Sequence, residues 1–479
     1  MVPTSANPAA ATGGDDHYDL VIIGGGPAGY GAALYGAAAG LHVALIEKAK
    51  VGGTCLHVGC IPAKELLETA AMRRHVASAA AFGIDATING VSWSTTLDRK
   101  QTVIDQLYKG LSGLLKGRKV TVLDGHGTMA ADRSVRVSGG ASGDVTVTGD
   151  AVALASGSVP RTIPGFEVDG RFVVTSDELL SLPELPASAA VIGGGAIGCE
   201  FASMMADLGV EVTVLEALPK ILPGCDDDIT STVVRAFKKR KITVKTGVGV
   251  TGHTPGASTT TVALADGSTL EVELVVVAVG RAPYTDGLLD AGTGVTVTER
   301  GHIAVDDRCR TGVAGVYAIG DVIATPALAH VGFAEGILVV QDLLGEDPAP
   351  VDYGRVPWCI YCHPEVAFTG LSEQAAVEAG YEVVVSKHRY IGNGRALILG
   401  EPDGMVKVIA AKRPDGTAGQ VLGVHMVGPW VTEQLGQAYL AVNWEATVDD
   451  IAPFVQPHPT LSELFGETVM ALTGRGLHG

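Results

Sequence analysis

Along most of the chain, short apolar runs end in glycines and are followed by stretches whose small and apolar residues recur at helical spacing. The segment DLVIIGGGPAGYGAALYGAAAGLHVALIEK reads as a strand, a tight turn, a small-residue helix and a second strand that ends in Glu47. The same order returns in AAVIGGGAIGCEFASMMADLGVEVTVLEA, whose second strand ends in Glu216. A third strand, GVYAIGD, is expected to end at Asp321 and to lead into the helical run TPALAHVGFAEGILVVQDLL. From about residue 348 the pattern changes to EVAFTG, MVKVIAA and VLGVHMVG, with helical VTEQLGQAYLAVNW after them. That change predicts a separate antiparallel sheet with helices.

The first two segments share more than a pattern. Gly24, Gly26 and Gly29 stand in G-x-G-x-x-G order, as do Gly193, Gly195 and Gly198, and each of the second set, like Glu216 after Glu47, lies 169 positions after its counterpart. Such glycines permit a tight turn and close approach of a pyrophosphate to a helix N-terminus, and the acid at the second strand's end suits an adenosine ribose. One such fingerprint is compatible with a plain turn. Two in full strand, turn, helix, strand and acid context predict two dinucleotide sites. Asp321 has two readings, a ligand-holding acid at a strand's carboxyl end or a cap for the following helix.

A length of 479 residues predicts about three domains. A net charge of -18 and the absence of any basic run disfavour nucleic acid and anionic membranes as partners, and no apolar stretch is long enough to span a bilayer. The first residues show neither a secretory nor a transit pattern and read as a short flexible tail on a cytoplasmic protein. Seven scattered cysteines do not resemble a secreted disulfide framework, so a paired one is expected to be catalytic; no metal site is expected.

Two cysteine motifs compete. In GGTCLHVGCIPAKELLETAA, Cys55 and Cys60 fall just ahead of or within the start of a helix. Residues five apart on an ideal helix are roughly 8 to 9 Å apart at Cα, too far for a disulfide, so a bridge requires a distorted turn such as Gly59, Gly52 or Gly53 would supply. Two unconnected structural cysteines are the other reading. Further on, Trp358, Cys359, Cys362 and His363 spell W-C-x-x-C-H, a thioredoxin-like or haem-attachment pattern. Its context reads as a strand, on which side chains three apart face opposite ways and do not converge.

GGTCLHVGCIPAK, the two glycine fingerprints, VYAIGD and the C-terminal HPTLSE together resemble the pyridine nucleotide disulfide oxidoreductase family, from about Asp19 to Glu467. The resemblance implies an α/β fold with two Rossmann-like dinucleotide-binding domains, for FAD and NAD, and a C-terminal α+β dimerisation domain. Residues 1–16 would be the tail, 17–160 with 281–347 the FAD domain, 161–280 the NAD domain and 348–479 the interface domain. FAD is thereby assigned to Gly24, Gly26, Gly29, Glu47, Lys64, Gly157 and Asp321, and NAD to Gly193, Gly195, Gly198, Glu216 and Gly280. Cys60 would be the thiolate beside the flavin and Cys55 the thiol that exchanges with substrate. Lys64 and Glu200 match a buried ion pair beside the flavin, although by themselves they read as a solvated helix residue and a helix-face charge. His458 with Glu463 matches the family's acid-base pair, where a lone histidine before proline reads as structural.

Within the family the likeness is greatest to members that oxidise protein-bound dihydrolipoyl groups, which implies a homodimer serving 2-oxoacid dehydrogenase or glycine-cleavage complexes. Reductases of glutathione or mycothiol type, or a chiefly structural subunit of such a complex, are the alternatives. Glu216 suits a free ribose 2'-hydroxyl and repels a 2'-phosphate, ALPKIL after it offers no arginine, and Ile197 stands where glutathione reductases carry a tyrosine; all three favour NAD over NADP. The chain departs from the lipoyl pattern at His57 (usually Asn), Ala63 (usually a small hydroxyl) and Ser156 (usually Thr), and the first two leave the thiol pKa open.

Overall fold

The computed structural model describes residues 16–140 and 143–478, so the expected tail at 1–16 lies outside it except for its last residue. The chain folds into two compact units. One comprises the residues up to His57 with Asp105–Val159 and Ala282–Val351, and the other Val58–Ile104, Pro160–Arg281 and Asp352 onward.

In the first unit, strand His17–Ile23 pairs in parallel with Val43–Glu47 on one side and with Val145–Leu154 on the other. Leu20, Val21 and Ile22 are fully buried, which is why this strand reads as an unbroken apolar run. Thr121–Asp124 extends one edge in parallel, and an antiparallel extension through Val135–Ser138 to His126–Met129 continues from Val145–Leu154. Strand Val316–Ala318 also pairs with Val145–Leu154. It is shorter than expected: it stops at Ala318, and Asp321 lies in the 3-10 turn Gly320–Val322. Helix Pro27–Ala38 packs against helix Ala329–Leu343 through small residues. A Cβ at Gly332 would sit 3.1 Å from Ala28 Cβ, a tight contact, and one at Gly336 only 2.7 Å from the Ala28 carbonyl oxygen, so the glycine at 336 is what allows this approach.

The second unit holds a parallel sheet in the spatial order Thr243–Thr246, Glu211–Glu216, Ser188–Ile192, Leu274–Val277, Val173–Val174. A three-stranded antiparallel sheet, Val250–Pro255, Thr260–Leu264 and Thr269–Val272, accompanies it. The expected C-terminal antiparallel sheet runs Trp358–Ile360, Glu365–Gly370, Ala418–Gly428, Met405–Lys412, Val383–Arg389. In helix Cys60–Ser78, Ala63, Leu66, Leu67 and Ala70 form one apolar stripe that enters a core with Phe201, Met204 and Met205 of helix Ala196–Asp207. That packing sets Lys64 beside Glu200. Elsewhere in this unit the buried Lys407 ammonium contacts Asp226, Asp228 and Glu373 at 2.8, 2.7 and 2.6 Å, tying the start of helix Asp227–Lys239 to the C-terminal sheet.

Candidate functional site

The two glycine turns have one construction. Gly24 and Gly193 hold φ of +113° and +108°, and a Cβ on either would collide with a carbonyl oxygen, of Ala155 and Ala278 respectively. Gly26 and Gly195 each cap a helix with no side-chain hydrogen bond, and a Cβ there would meet nothing within 4 Å. Above each helix N-terminus lies open space faced by backbone N–H donors and the positive end of the helix dipole, which fits a pyrophosphate. Gly29 and Gly198 let each helix close on its own turn, where a Cβ would strike the carbonyl of Gly24 or Gly193.

The acids do more than their motif suggests. Glu47 accepts the N–H of Gly25 at 2.7 Å with one oxygen and that of Ala49 at 2.8 Å with the other. Glu216, only 8% exposed, accepts the N–H of Gly194 at 2.6 Å and that of Leu218 at 2.7 Å. Each acid clasps its own glycine turn, and the second lone pair of each oxygen remains for a ribose hydroxyl. In the first unit Asp321 accepts a 2.6 Å bond from Ser158, and Gly157 holds φ of +74° beside it in sequence. Gly280 holds φ of +106° in the second unit and accepts the Arg161 N–H at 3.0 Å.

Cys55 lies in the short helix Gly53–His57, and Cys60 is the first residue of helix Cys60–Ser78. The expected distortion is a break between the helices, with Gly59 at φ -147°, ψ -111°. Four residues after Cys60 on the same helical face, Lys64 Nζ contacts the two Glu200 carboxylate oxygens at 2.9 and 2.8 Å. Glu200 is buried, while the Lys64 side chain is a third exposed. Burial opposes the Lys64 charge, but Glu200, helped by Cys60 and Tyr361, holds the ammonium above its usual pKa. His458 Nδ1 stands 2.8 Å from Glu463 Oε2. The His458 side chain is 74% exposed, whereas Glu463 is buried at the head of helix Glu463–Ala471 and held by Asn393 Nδ2 at 3.2 Å.

The departures from the lipoyl pattern find places. His57 Nε2 lies 3.0 Å from the Val51 carbonyl and the ring meets Tyr108 edge-on at 5.5 Å, so this histidine pins the loop ahead of it. Ala63 is buried, where a hydroxyl would need a partner. Ser156 keeps a hydroxyl donor, which bonds the Tyr284 carbonyl at 2.6 Å. The W-C-x-x-C-H motif does not assemble: Cys359 packs toward the core beneath helix Val431–Asn443, and Cys362, beyond the end of the strand, is fully buried in the other core. Burial pushes the Cys359 thiol up to about 11 and the Cys362 thiol well above the ordinary range.

Two further residues support these positions with little or no signal in the sequence. Glu335, fully buried, accepts the Gly320 N–H at 2.6 Å and the Thr325 hydroxyl at 2.8 Å, shaping the turn that carries Asp321; its signal was a lone acid in the apolar run AEGILVV. Tyr361 donates its N–H to Glu200 at 2.9 Å and had no signal beyond its neighbours. Among the described residues no cluster of three or more His, Cys, Asp or Glu is arranged to hold a metal, and no helix is long and apolar enough to cross a membrane.

Residues 18–336 match the family model for pyridine nucleotide-disulphide oxidoreductases, and residues 356–469 match that family's dimerisation domain. The chain belongs to the pyridine nucleotide-disulphide oxidoreductase family. It is an oxidoreductase of α/β fold that uses FAD and NAD, and it carries the family's dimerisation domain. A dihydrolipoyl dehydrogenase of Bacillus subtilis is 40% identical over 96% of this chain and 99% of its own length, and one of Mycobacterium bovis is 38% identical over 96% and 98%. Among solved structures, LpdA of Mycobacterium tuberculosis superposes with a TM-score of 0.89 at 26% identity, covering 95% of this chain and 99% of that one. The flavoprotein disulfide reductase RclA of Escherichia coli superposes at 0.84 with 27% identity over 95% and 99%.

Proposed function

We propose that the chain is a dihydrolipoyl dehydrogenase, oxidising dihydrolipoyl groups on partner proteins at a Cys55–Cys60 disulfide and delivering the electrons to NAD+. The observation that carries this reading is the near full-length likeness to dihydrolipoyl dehydrogenases. FAD, when bound, supplies the two-electron relay between the thiols and the nicotinamide.

His458, its Nδ1 held by Glu463, presents Nε2 as the base that removes a proton from the incoming dithiol. The resulting thiolate attacks Cys55 Sγ, the Cys55–Cys60 bond breaks, and Cys60 leaves as a thiolate at a helix N-terminus that favours its charge. The second lipoyl sulfur then displaces Cys55, releasing lipoyl disulfide and leaving two electrons on the cysteine pair. NAD+ takes those electrons with one proton, and the other proton goes to solvent. Throughout, the Lys64 ammonium, anchored by Glu200, stays positively charged four residues from Cys60. FAD would be held by Gly24, Gly26, Gly29, Glu47, Lys64, Gly157 and Asp321, and NAD by Gly193, Gly195, Gly198, Glu216 and Gly280. The functional division we propose is into the three domains expected above.

We also place the enzyme in the cytoplasm as a homodimer working with lipoyl domains of 2-oxoacid dehydrogenase or glycine-cleavage complexes. The exposed Trp444, Phe454 and Val455, 76, 64 and 97% accessible in the lone chain, support pairing through the C-terminal domain.

Purified protein is expected to be yellow and to release FAD on denaturation. Assayed with lipoamide, glutathione disulfide and mycothiol disulfide against NADH and NADPH, it should prefer lipoamide, and NADH over NADPH, each by about a hundred-fold in kcat/KM. A higher kcat/KM with glutathione or mycothiol disulfide would remove the lipoyl assignment. A preference for NADPH would remove the role given to Glu216.

A further inference from the structure

The Lys64–Glu200 pair is built from three elements. Lys64 stands on helix Cys60–Ser78 and Glu200 on helix Ala196–Asp207, while Tyr361 follows strand Trp358–Ile360 of the C-terminal sheet. Glu200 Oε1 receives both Lys64 Nζ and the Tyr361 N–H, each at 2.9 Å. The ammonium also lies 4.9 Å from the centroid of the Tyr361 ring, within reach of a cation–π attraction. A flexible lysine with one exposed flank thus has a carboxylate on one side and an aromatic face on another. The phenol is not a second charge: burial pushes its pKa up, so it stays neutral.

We propose that Tyr361 is a positioning residue for the electron-transfer site, holding the Lys64 ammonium through its ring while its backbone N–H orients Glu200. The inference rests on the reading above, in which Lys64 serves the flavin. A cation held near a redox group favours the reduced, more negative form, and one free to swing into solvent does so less. The ring supplies the hold on the ammonium. The N–H, which any residue but proline keeps, supplies the hold on the carboxylate.

The test compares FAD-loaded wild type with Tyr361→Leu, Tyr361→Phe and Lys64→Met, reading the midpoint potential of the bound flavin by equilibration with a reference dye. Steady-state kcat and KM are read alongside. Tyr361→Leu should move the potential to more negative values in the same direction as Lys64→Met, and lower kcat by about ten-fold with KM for NAD+ little changed. Tyr361→Phe, which keeps the ring, should restore the potential. If Lys64→Met shifts the potential and Tyr361→Leu does not, Tyr361 has no such role while the reading of Lys64 stands. If Lys64→Met leaves the potential unmoved, the reading itself fails and this inference with it. A shift in Tyr361→Phe as large as in Tyr361→Leu would overturn the ring-face account. Should Tyr361→Leu not retain FAD, Tyr361→Met makes the same comparison with a longer unbranched side chain.

Discussion

Cys55→Ser and Cys60→Ser are each expected to lower lipoamide turnover by at least about a thousand-fold while FAD remains bound, because each removes a sulfur that the exchange must pass through. Cys359→Ser and Cys362→Ser are expected to keep roughly half or more of the activity, as near-isosteric changes at sulfurs that the exchange does not pass through. The contrast has a physical basis in the buried thiols. Burial holds Cys359 near 11 and Cys225 near 12, and pushes Cys199 and Cys362 well above the ordinary range, so none carries appreciable thiolate at neutral pH. Cys359 and Cys362 also pack into different cores and do not meet as a pair. NADH-dependent lipoamide reduction, read beside flavin content, decides the matter. A Cys359 or Cys362 variant that binds FAD normally but is inactive would return the C-x-x-C pair to the mechanism.

The second large effect is expected from mixing two inactive proteins. His458, with its ring exposed and Glu463 buried behind it, is presented outward from the domain that matches the family's dimerisation module. If each active site joins Cys55, Cys60 and flavin of one protomer to the histidine of its partner, a heterodimer of Cys60→Ser and His458→Ala chains has one site with both defects and one intact site. Subunit exchange should then raise activity from near zero to roughly half the wild-type value per heterodimer. Differently tagged chains, purified through both tags, allow the heterodimer to be verified. Verified heterodimers no more active than their parents would mean that the histidine acts within its own chain.

The glycine turns were legible in the sequence because their chemistry is local: strand, turn, helix and acid lie within thirty-odd residues, and the strands, buried on both faces, read as unbroken apolar runs. The antiparallel C-terminal strands were legible for the same reason. The end of the third strand was not. Val316–Ala318 stops short because Gly320 turns at φ +73° and its N–H goes to Glu335 on the next helix, a partner that periodicity along the strand does not report. Gly59 marked a turn between the cysteines, yet nothing in its neighbours shows helix on both sides of it. Lys64, Glu200 and Tyr361 meet across separations of 136 and 161 residues, and a pattern that tells which face is buried does not tell what it is buried against. Only the family resemblance paired the first two, and it was silent on the third.

The clasp that Glu216 makes has a bearing on how this enzyme can be altered. In the proposed function Glu216 discriminates between the two coenzymes, and in the structure it is also a strut of the glycine turn, since its oxygens take up the N–H groups of Gly194 and Leu218. Exchanging it for arginine to welcome a 2'-phosphate would first strand two backbone donors, at about 1 to 3 kcal/mol for each that finds no water. Coenzyme preference here is therefore not a one-step trait: a variant that gains NADPH has to bring a replacement acceptor for Gly194 with it, and intermediates lacking one should bind both coenzymes poorly.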